Sequence, residues 1–274
     1  MTCNTVQSID KALVARRFAN ARNTYGREAR VQQQVAEKML HLIMEYACPP
    51  AASPSTRGNA SPFRHIVEFG CGTGYYSRLL LHTLQPETLL LNDLCTEMEE
   101  CLKDICHPDN KGHVSFLPCD AETLDFPQGT DLITSCSTLQ WFADTKHFFA
   151  RCHRFLSDDG ILAFSTFGKK NMQEIHTLTG RGLEYLSLEQ LKALLSPHFQ
   201  LLYTAEEIVS LPFSTPLEVL RHLKQTGVTG TEKRVWTRGR LQSFCNEYIR
   251  LCGNADHSVS LTYHPIYIIT KKKA

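Results

Sequence analysis

Glu68-Phe69-Gly70-Cys71-Gly72-Thr73-Gly74 follows a short apolar run that begins at His65 and leads into the helical pattern Tyr75 to Leu84. A buried strand, a glycine-rich loop and a helix start in that order form a ligand-binding βα turn. Glycine lets the backbone turn sharply and approach a ligand without a Cβ in the way. The helix start offers N–H groups that have no partner inside the helix. A dinucleotide fingerprint would space its glycines G-x-G-x-x-G around a pyrophosphate. Here the spacing is G-x-G-x-G, with an acid two residues before the first glycine. A carboxylate at that place repels a pyrophosphate and suits an ammonium group.

Outward from this loop, strands and helices alternate. TLLLND (88–93) reads as a second strand, CTEMEECLKDIC (95–106) as a helix, HVSFLP (113–118) as a third strand and TDLITSC (130–136) as a fourth. A helix over 144–156, a turn at Asp159-Gly160 and a fifth strand, ILAFSTF (161–167), follow. Such alternation predicts a parallel, doubly wound sheet. Past residue 170, SLEQLKALL (187–195) reads as a helix with a capping box from Ser187 to Gln190. FQLLYTAEEIVSL (199–211) reads as one long strand, 216–226 and 238–252 as helices, and HSVSLTYHPIYIIT (257–270) as a last strand. Before the loop, residues 8–46 are helical, with apolar stripes at Val14, Phe18, Ala21, Tyr25 and at Val31, Val35, Met39, Leu42, Tyr46. Gly26 separates the stripes, so two helices or one kinked helix fit. The Pro- and Ser-rich stretch 48–64 reads as a linker. The expected division is a helical lid over 1–47, the linker, a cofactor-binding core over 65–170, and the rest of the sheet with substrate-facing helices over 171–274.

Two more acids stand at successive strand ends. Asp93, followed by Leu94, ends the second strand; Asp120, followed by Ala121, comes after the third. Alone, Asp93 also reads as a helix cap and Asp120 as a solvated loop acid. In order at successive strand ends, with Ser137 after the fourth strand, they resemble the motifs of the class I S-adenosylmethionine-dependent methyltransferases. That resemblance implies an α/β fold: a doubly wound, Rossmann-like seven-stranded sheet with N-terminal helices and a helical substrate-facing insertion. It also implies S-adenosylmethionine as cofactor, held by Glu68, Gly70, Gly72, Gly74, Asp93, Leu94, Asp120, Ala121 and Ser137. The usual Pro-Gly of the turn before the fifth strand is replaced by Asp159-Gly160.

The fold itself is silent about the acceptor. From about Val14 to Ile268 the chain resembles the malonyl-acyl carrier protein O-methyltransferases of biotin synthesis. Phe18, Tyr25 and Gln32 to Gln34, the pair Gln140-Trp141, the segment Arg221 to Gly227 followed by Arg238 and Leu241, and Leu261 to His264 carry that likeness. The resemblance implies methylation of the free carboxylate of a malonyl thioester on acyl carrier protein, or on coenzyme A. Arg221, with Lys224 beside it, is the candidate clamp, because a guanidinium pairs with a carboxylate through two parallel bonds. Tyr25 is a candidate lid residue, and Gln140, Trp141, Tyr263 and His264 are candidate acceptor contacts. On residue type alone, Arg221 and Lys224 fit a solvated helix face, and Trp141 and His264 fit plain packing. The cofactor half alone also admits a quinone-pathway methyltransferase, one acting on a free dicarboxylate, or a non-catalytic assembly protein of the same fold.

Composition bounds the rest. With 274 residues, 42% hydrophobic and 21% charged, the chain is long enough to bury its own core. A net charge of +1 speaks against nucleic acid as partner. That total hides +5 over residues 1–64, −11 over 65–218 and +7 over 219–274. Arg234, Arg238, Arg240 and Arg250 in the last segment suit either solvated surface or a docking face for an acidic carrier. The eleven cysteines include no C-x-x-C pair and match no zinc pattern, so no metal is expected. No apolar run approaches the length of a membrane span, and the cytoplasm is the expected location.

Overall fold

The structure, a computed structural model, describes residues 9–48, 61–106, 113–228, 237–254, 256 and 258–274. Residues 49–60 of the expected linker, and Arg234, lie outside that set. Five strands alternate with helices as the sequence pattern requires: β1 (His65–Phe69), β2 (Thr88–Asp93), β3 (His113–Pro118), β4 (Thr130–Cys136) and β5 (Leu156–Phe167). β6 (Phe199–Glu206) and β9 (Pro265–Lys272) complete a seven-stranded sheet of order β3-β2-β1-β4-β5-β9-β6. The first five strands are parallel; β9 enters antiparallel between β5 and β6.

The two long C-terminal strand readings each divide. β7 (Val209–Phe213) and β8 (Val259–Tyr263) form a separate two-stranded sheet, so both chain segments leave the main sheet at one level. His264 is the hinge between β8 and β9. Pro265 brings no N–H to the ladder at its start, and the His264 ring packs over Gly168, where a Cβ would lie 2.7 Å from it. Asp159-Gly160 is not a tight turn between elements. It lies within β5, where Thr130 pairs with Leu156 and Leu132 with Ile161, so the intervening residues bulge out.

The N-terminal helices are α1 (Lys11–Glu28) and α2 (Arg30–Tyr46). Their break falls at Ala29, not at Gly26, which stays helical inside α1. Gln33 reaches back to the Gly26 carbonyl at 2.6 Å, which steadies the corner. α2 is a core helix: Val31, Val35, Met39 and Ile43 are 1% exposed or less. It covers one sheet face together with α3 (Tyr75–Leu84), while α5 (Thr145–Phe155) and α7 (Leu188–Leu195) cover the other. The expected helix over 95–106 shrinks to a 3₁₀ turn, Thr96–Met98, and one turn of α4 (Glu99–Leu102). Arg78 from α3 takes the Cys101 carbonyl at 2.8 Å, so that carbonyl has a partner without a longer helix. α6 (Gln173–Thr179) is unforeseen; α8 (Pro216–Gln225) and α9 (Arg238–Cys252) match the expected spans.

Candidate functional site

The glycine loop after β1 is built as its spacing demands. Gly70, Gly72 and Gly74 all have positive φ, at 67°, 53° and 79°. At Gly70 a Cβ would lie 2.1 Å from the Thr138 hydroxyl; at Gly72 nothing stands within 4 Å, so a side chain there would fill ligand space. Asp93, at the end of β2, ties the loop down. Its Oδ2 accepts from the Gly72 N–H at 2.9 Å and its Oδ1 from the Cys95 N–H at 2.8 Å. Burial pushes the Asp93 carboxyl up, and backbone N–H bonds from Cys95, Gly72 and Leu94 pull it back. Glu68 lies beneath the loop, 1% exposed, with Oε2 lacking any partner. Burial pushes its carboxyl up to about 8, against a smaller opposing pull from the Ser77 hydroxyl.

Above the loop opens a cavity of about 800 Å³, counting its mouth, at the carboxyl ends of the parallel strands. Of the expected cofactor residues, Gly70, Gly72, Asp93, Leu94, Asp120, Ala121 and Ser137 line it; Glu68, buried at the end of β1, and Gly74, at the start of α3, do not. Its roof is α1, through Lys11, Val14, Ala15, Phe18 and Tyr25. Lys11 Nζ contacts Asp120 Oδ2 at 2.5 Å and also pairs with Glu122, closing α1 across the adenosine side. Glu122 in turn accepts from the Ala143 and Asp144 N–H groups ahead of α5, at 3.0 and 2.7 Å.

A second, inner cavity of about 340 Å³ adjoins the first. Phe18, Tyr25, Ser137 and Trp141 line both. Gln32, Gln140, Asn171 and Tyr185 supply its other polar groups, and Phe167, Met172, Leu183 and Val228 its apolar wall. Among the described residues no Lys, Arg or His lines it. Phe18 stands edge-on to Trp141 at 5.8 Å and to Tyr25 at 6.3 Å between ring centres, which fixes the wall between the cavities.

The remaining acceptor candidates lie apart from both cavities. Tyr263 is fully buried, with its hydroxyl 2.7 Å from His222 Nε2. His264 accepts from the Lys170 N–H at 3.1 Å and faces Glu206 at 3.3 Å, so its ring holds the turn after β5. Arg221 and Lys224 are exposed and line neither cavity, because α8 buries Pro216, Val219, His222 and Leu223 and turns positions 221 and 224 outward. The helical periodicity of 216–225 already carried that information. Gln32 was legible only as part of a glutamine run. Asn171 and Tyr185 sit on connections with no periodic signal. Lys11 reaches Asp120 over 109 residues, which no local pattern reveals.

These residues fit S-adenosylmethionine, the cofactor that the sequence implies. Its ribose hydroxyls and ammonium are donors; the Asp93 carboxylate faces the cavity, and buried acceptors without partners (Glu68 Oε2, Asn92 Oδ1) stand around the loop. Gly72 leaves open the space that the ligand's body requires.

Comparison with known proteins agrees. A family model described as a methyltransferase domain matches residues 67–164. A Bacteroides helcogenes protein named malonyl-[acyl-carrier protein] O-methyltransferase is 62% identical over 97% of this chain and 100% of its own length. Proteins of the same name from Bacteroides thetaiotaomicron and Haemophilus influenzae are 51% and 35% identical, each over 97% of this chain and over 99% and 96% of their own lengths. Among solved structures, the YcgJ protein of Bacillus subtilis superposes with a TM-score of 0.58 at 16% identity, over 87% of this chain and 99% of its own. Phosphoethanolamine N-methyltransferase 2 of Haemonchus contortus, in complex with S-adenosyl-L-methionine, gives 0.51 at 16%, over 87% and 53%. At such identities these two share the fold.

Proposed function

The chain belongs to the malonyl-[acyl-carrier protein] O-methyltransferases, and on that premise we propose that its paired cavities are the donor and acceptor halves of one methyl-transfer site. It transfers a methyl group from S-adenosylmethionine to the free carboxylate of a malonyl thioester on acyl carrier protein. The observation that carries the reading is the common wall of Phe18, Tyr25, Ser137 and Trp141, which sets the inner cavity directly beside the cofactor cavity. The resulting ester hides a charge, and the family resemblance ties it to biotin synthesis.

When bound, S-adenosylmethionine supplies a sulfonium methyl: the acceptor oxygen's pair makes the new C–O bond while the C–S pair stays on sulfur. An acceptor carboxylate is already ionised near pH 7, so the chain needs no general base. Its residues have three tasks. Asp93 and the glycine loop hold the adenosine and methionine parts. The aromatic wall excludes water, which strengthens every electrostatic contact inside. The inner cavity aligns the carboxylate, and alignment is the main source of rate in such a transfer.

The finer choice of carrier protein over coenzyme A, and a cytoplasmic location, belong to the same proposal. Arg221, Lys224, Arg238 and Arg240 are exposed on α8 and α9, a basic surface spread over two helices that suits the broad acidic face of a carrier protein. No helix among the described residues is long and apolar enough to cross a membrane. The test is a rate comparison of malonyl-carrier, malonyl-coenzyme A and free malonate with labelled S-adenosylmethionine. The carrier form is expected to have the highest kcat/KM, and equal values would defeat carrier recognition.

A further inference from the structure

Ser137 has a backbone that serine rarely adopts. It directly follows β4, at φ 57°, one of three non-glycine residues with positive φ among those described. A left-handed conformation is costly for an L-residue, and it persists only where neighbours enforce it. Those neighbours are visible. The Ser137 N–H donates to the Ser165 carbonyl at 3.0 Å, and the Ser137 carbonyl accepts from Gln140 Nε2 at 2.6 Å. Gln140 is steadied at its other end, where its Oε1 accepts from the Thr166 hydroxyl at 3.1 Å. This grip holds the backbone and leaves the side chain out: Ser137 Oγ is buried and has no hydrogen-bond partner. A buried orphan hydroxyl is costly and calls for an explanation.

Its position supplies one. Ser137 is one of the four residues shared by the two cavities, so it lies where donor and acceptor halves meet. Two of the other three also carry a donor, the Tyr25 hydroxyl and the Trp141 indole N–H, and neither makes a hydrogen bond among the described residues. We propose that the malonyl carboxylate is held at this junction by uncharged donors, the Ser137 and Tyr25 hydroxyls with the Trp141 N–H, and not by a cation. The inference rests on the functional reading above, because it presumes a carboxylate acceptor.

Three considerations support it. Among the described residues the inner cavity has no cationic side chain. A carboxylate is an acceptor only, so three uncharged donors on the shared wall match it. A guanidinium clamp would lower the basicity of the attacking oxygen, whereas neutral donors on the second oxygen position the group and leave the attacking pair available. The sulfonium in the neighbouring cavity supplies the positive charge that the carboxylate needs. Burial, with Asp93 nearby, pushes the Tyr25 hydroxyl far above its usual ionisation range, so it stays a donor throughout.

The experiment uses the full chain with malonyl-loaded carrier protein as substrate and calorimetric titration of S-adenosylmethionine alone. Tyr25→Phe and Ser137→Gly each remove one donor. Glycine also relieves the strained backbone, so a merely structural serine would be replaced without loss. Each variant is expected to lower kcat/KM for the carrier substrate about 10- to 100-fold, with the Kd for S-adenosylmethionine within about threefold of wild type. Unchanged kcat/KM in both variants would overturn the inference. So would a parallel loss of cofactor affinity, which would make these groups cofactor contacts. If Arg221→Ala lost as much kcat at saturating carrier as Tyr25→Phe, the clamp would be cationic and the inference would fall. Failure of the wild type to methylate any malonyl thioester would sink the functional reading and this inference together.

Discussion

Glu68 is the acid of the glycine loop, yet it is buried and lines neither cavity, and its environment decides its chemistry. Burial raises its carboxyl from an ordinary 4.5 to about 8. A carboxyl that binds its proton more tightly when folded stabilises the fold fully below the unfolded value, and that contribution is lost as pH rises toward the folded value. Glu68→Gln removes the titration. The melting temperature of the ligand-free wild type is therefore expected to drop relative to the variant between pH 5 and pH 8, measured by thermal scans across that range. A difference that does not change with pH would show that Glu68 is already ionised at pH 5. At Gly72 the argument is steric. Its φ of 53° and the empty space beside it mean that Gly72→Val adds a branched side chain in a strained conformation inside ligand space. Calorimetry is expected to show no S-adenosylmethionine binding, with circular dichroism unchanged.

The N-terminal helices look alike in sequence and do different work. α2 is locked by its buried stripe, each aliphatic side chain contributing about 1.5–3 kcal/mol. α1 is held more lightly. Asp10 caps its start, accepting from the Leu13 N–H at 2.9 Å, and Lys11 fastens it to Asp120 and Glu122. Burial works against the charged Lys11, and its hydrogen bonds to the two carboxylates outweigh that effect. At its other end the Thr24 hydroxyl donates to the Gln225 carbonyl at 2.8 Å, and Phe18 packs against Gly227 where α8 ends. Lys11→Met severs the first attachment, a partly buried contact with two carboxylates worth about 1 kcal/mol. Amide exchange in the first turns of α1 is expected to quicken about fivefold, with β1 and β4 unchanged, measured by hydrogen-exchange mass spectrometry. Equal protection in the variant would mean that packing alone docks the helix.

Over the whole molecule, charge is segregated: −11 over 65–218 between +5 and +7 at the ends. The acidic middle includes Glu68, Asp93 and Asp120 around the donor cavity, while exposed bases of the last segment stand on α8 and α9. In that segment Arg250 is paired with Glu247 at 2.6 Å. Steering by such a surface acts mainly on encounter and fades with salt. Arg238→Glu with Arg240→Glu is expected to raise KM for malonyl-carrier several-fold and to flatten its dependence on ionic strength. The readout is initial rates from low to high salt. An unaltered salt profile would leave the methyl transfer intact and remove the docking role.

The cofactor half was legible because each of its signals is local. A glycine spacing, an acid at a strand end and a capping box depend on a few consecutive residues, and strand–helix alternation then fixes their order along the sheet edge. The sequence by itself therefore determined the parallel core, the glycine loop at its edge and the family likeness. Tertiary structure alone decided where the helix corner falls, how 199–211 and 257–270 split between two sheets, and which side chains face the acceptor. Strand partners are non-local, and the inner cavity lined by Gln32, Ser137, Asn171 and Tyr185 exists only after distant segments pack. The rotation of α8 about its axis, set by its buried stripe, turned Arg221 outward and left uncharged groups inside.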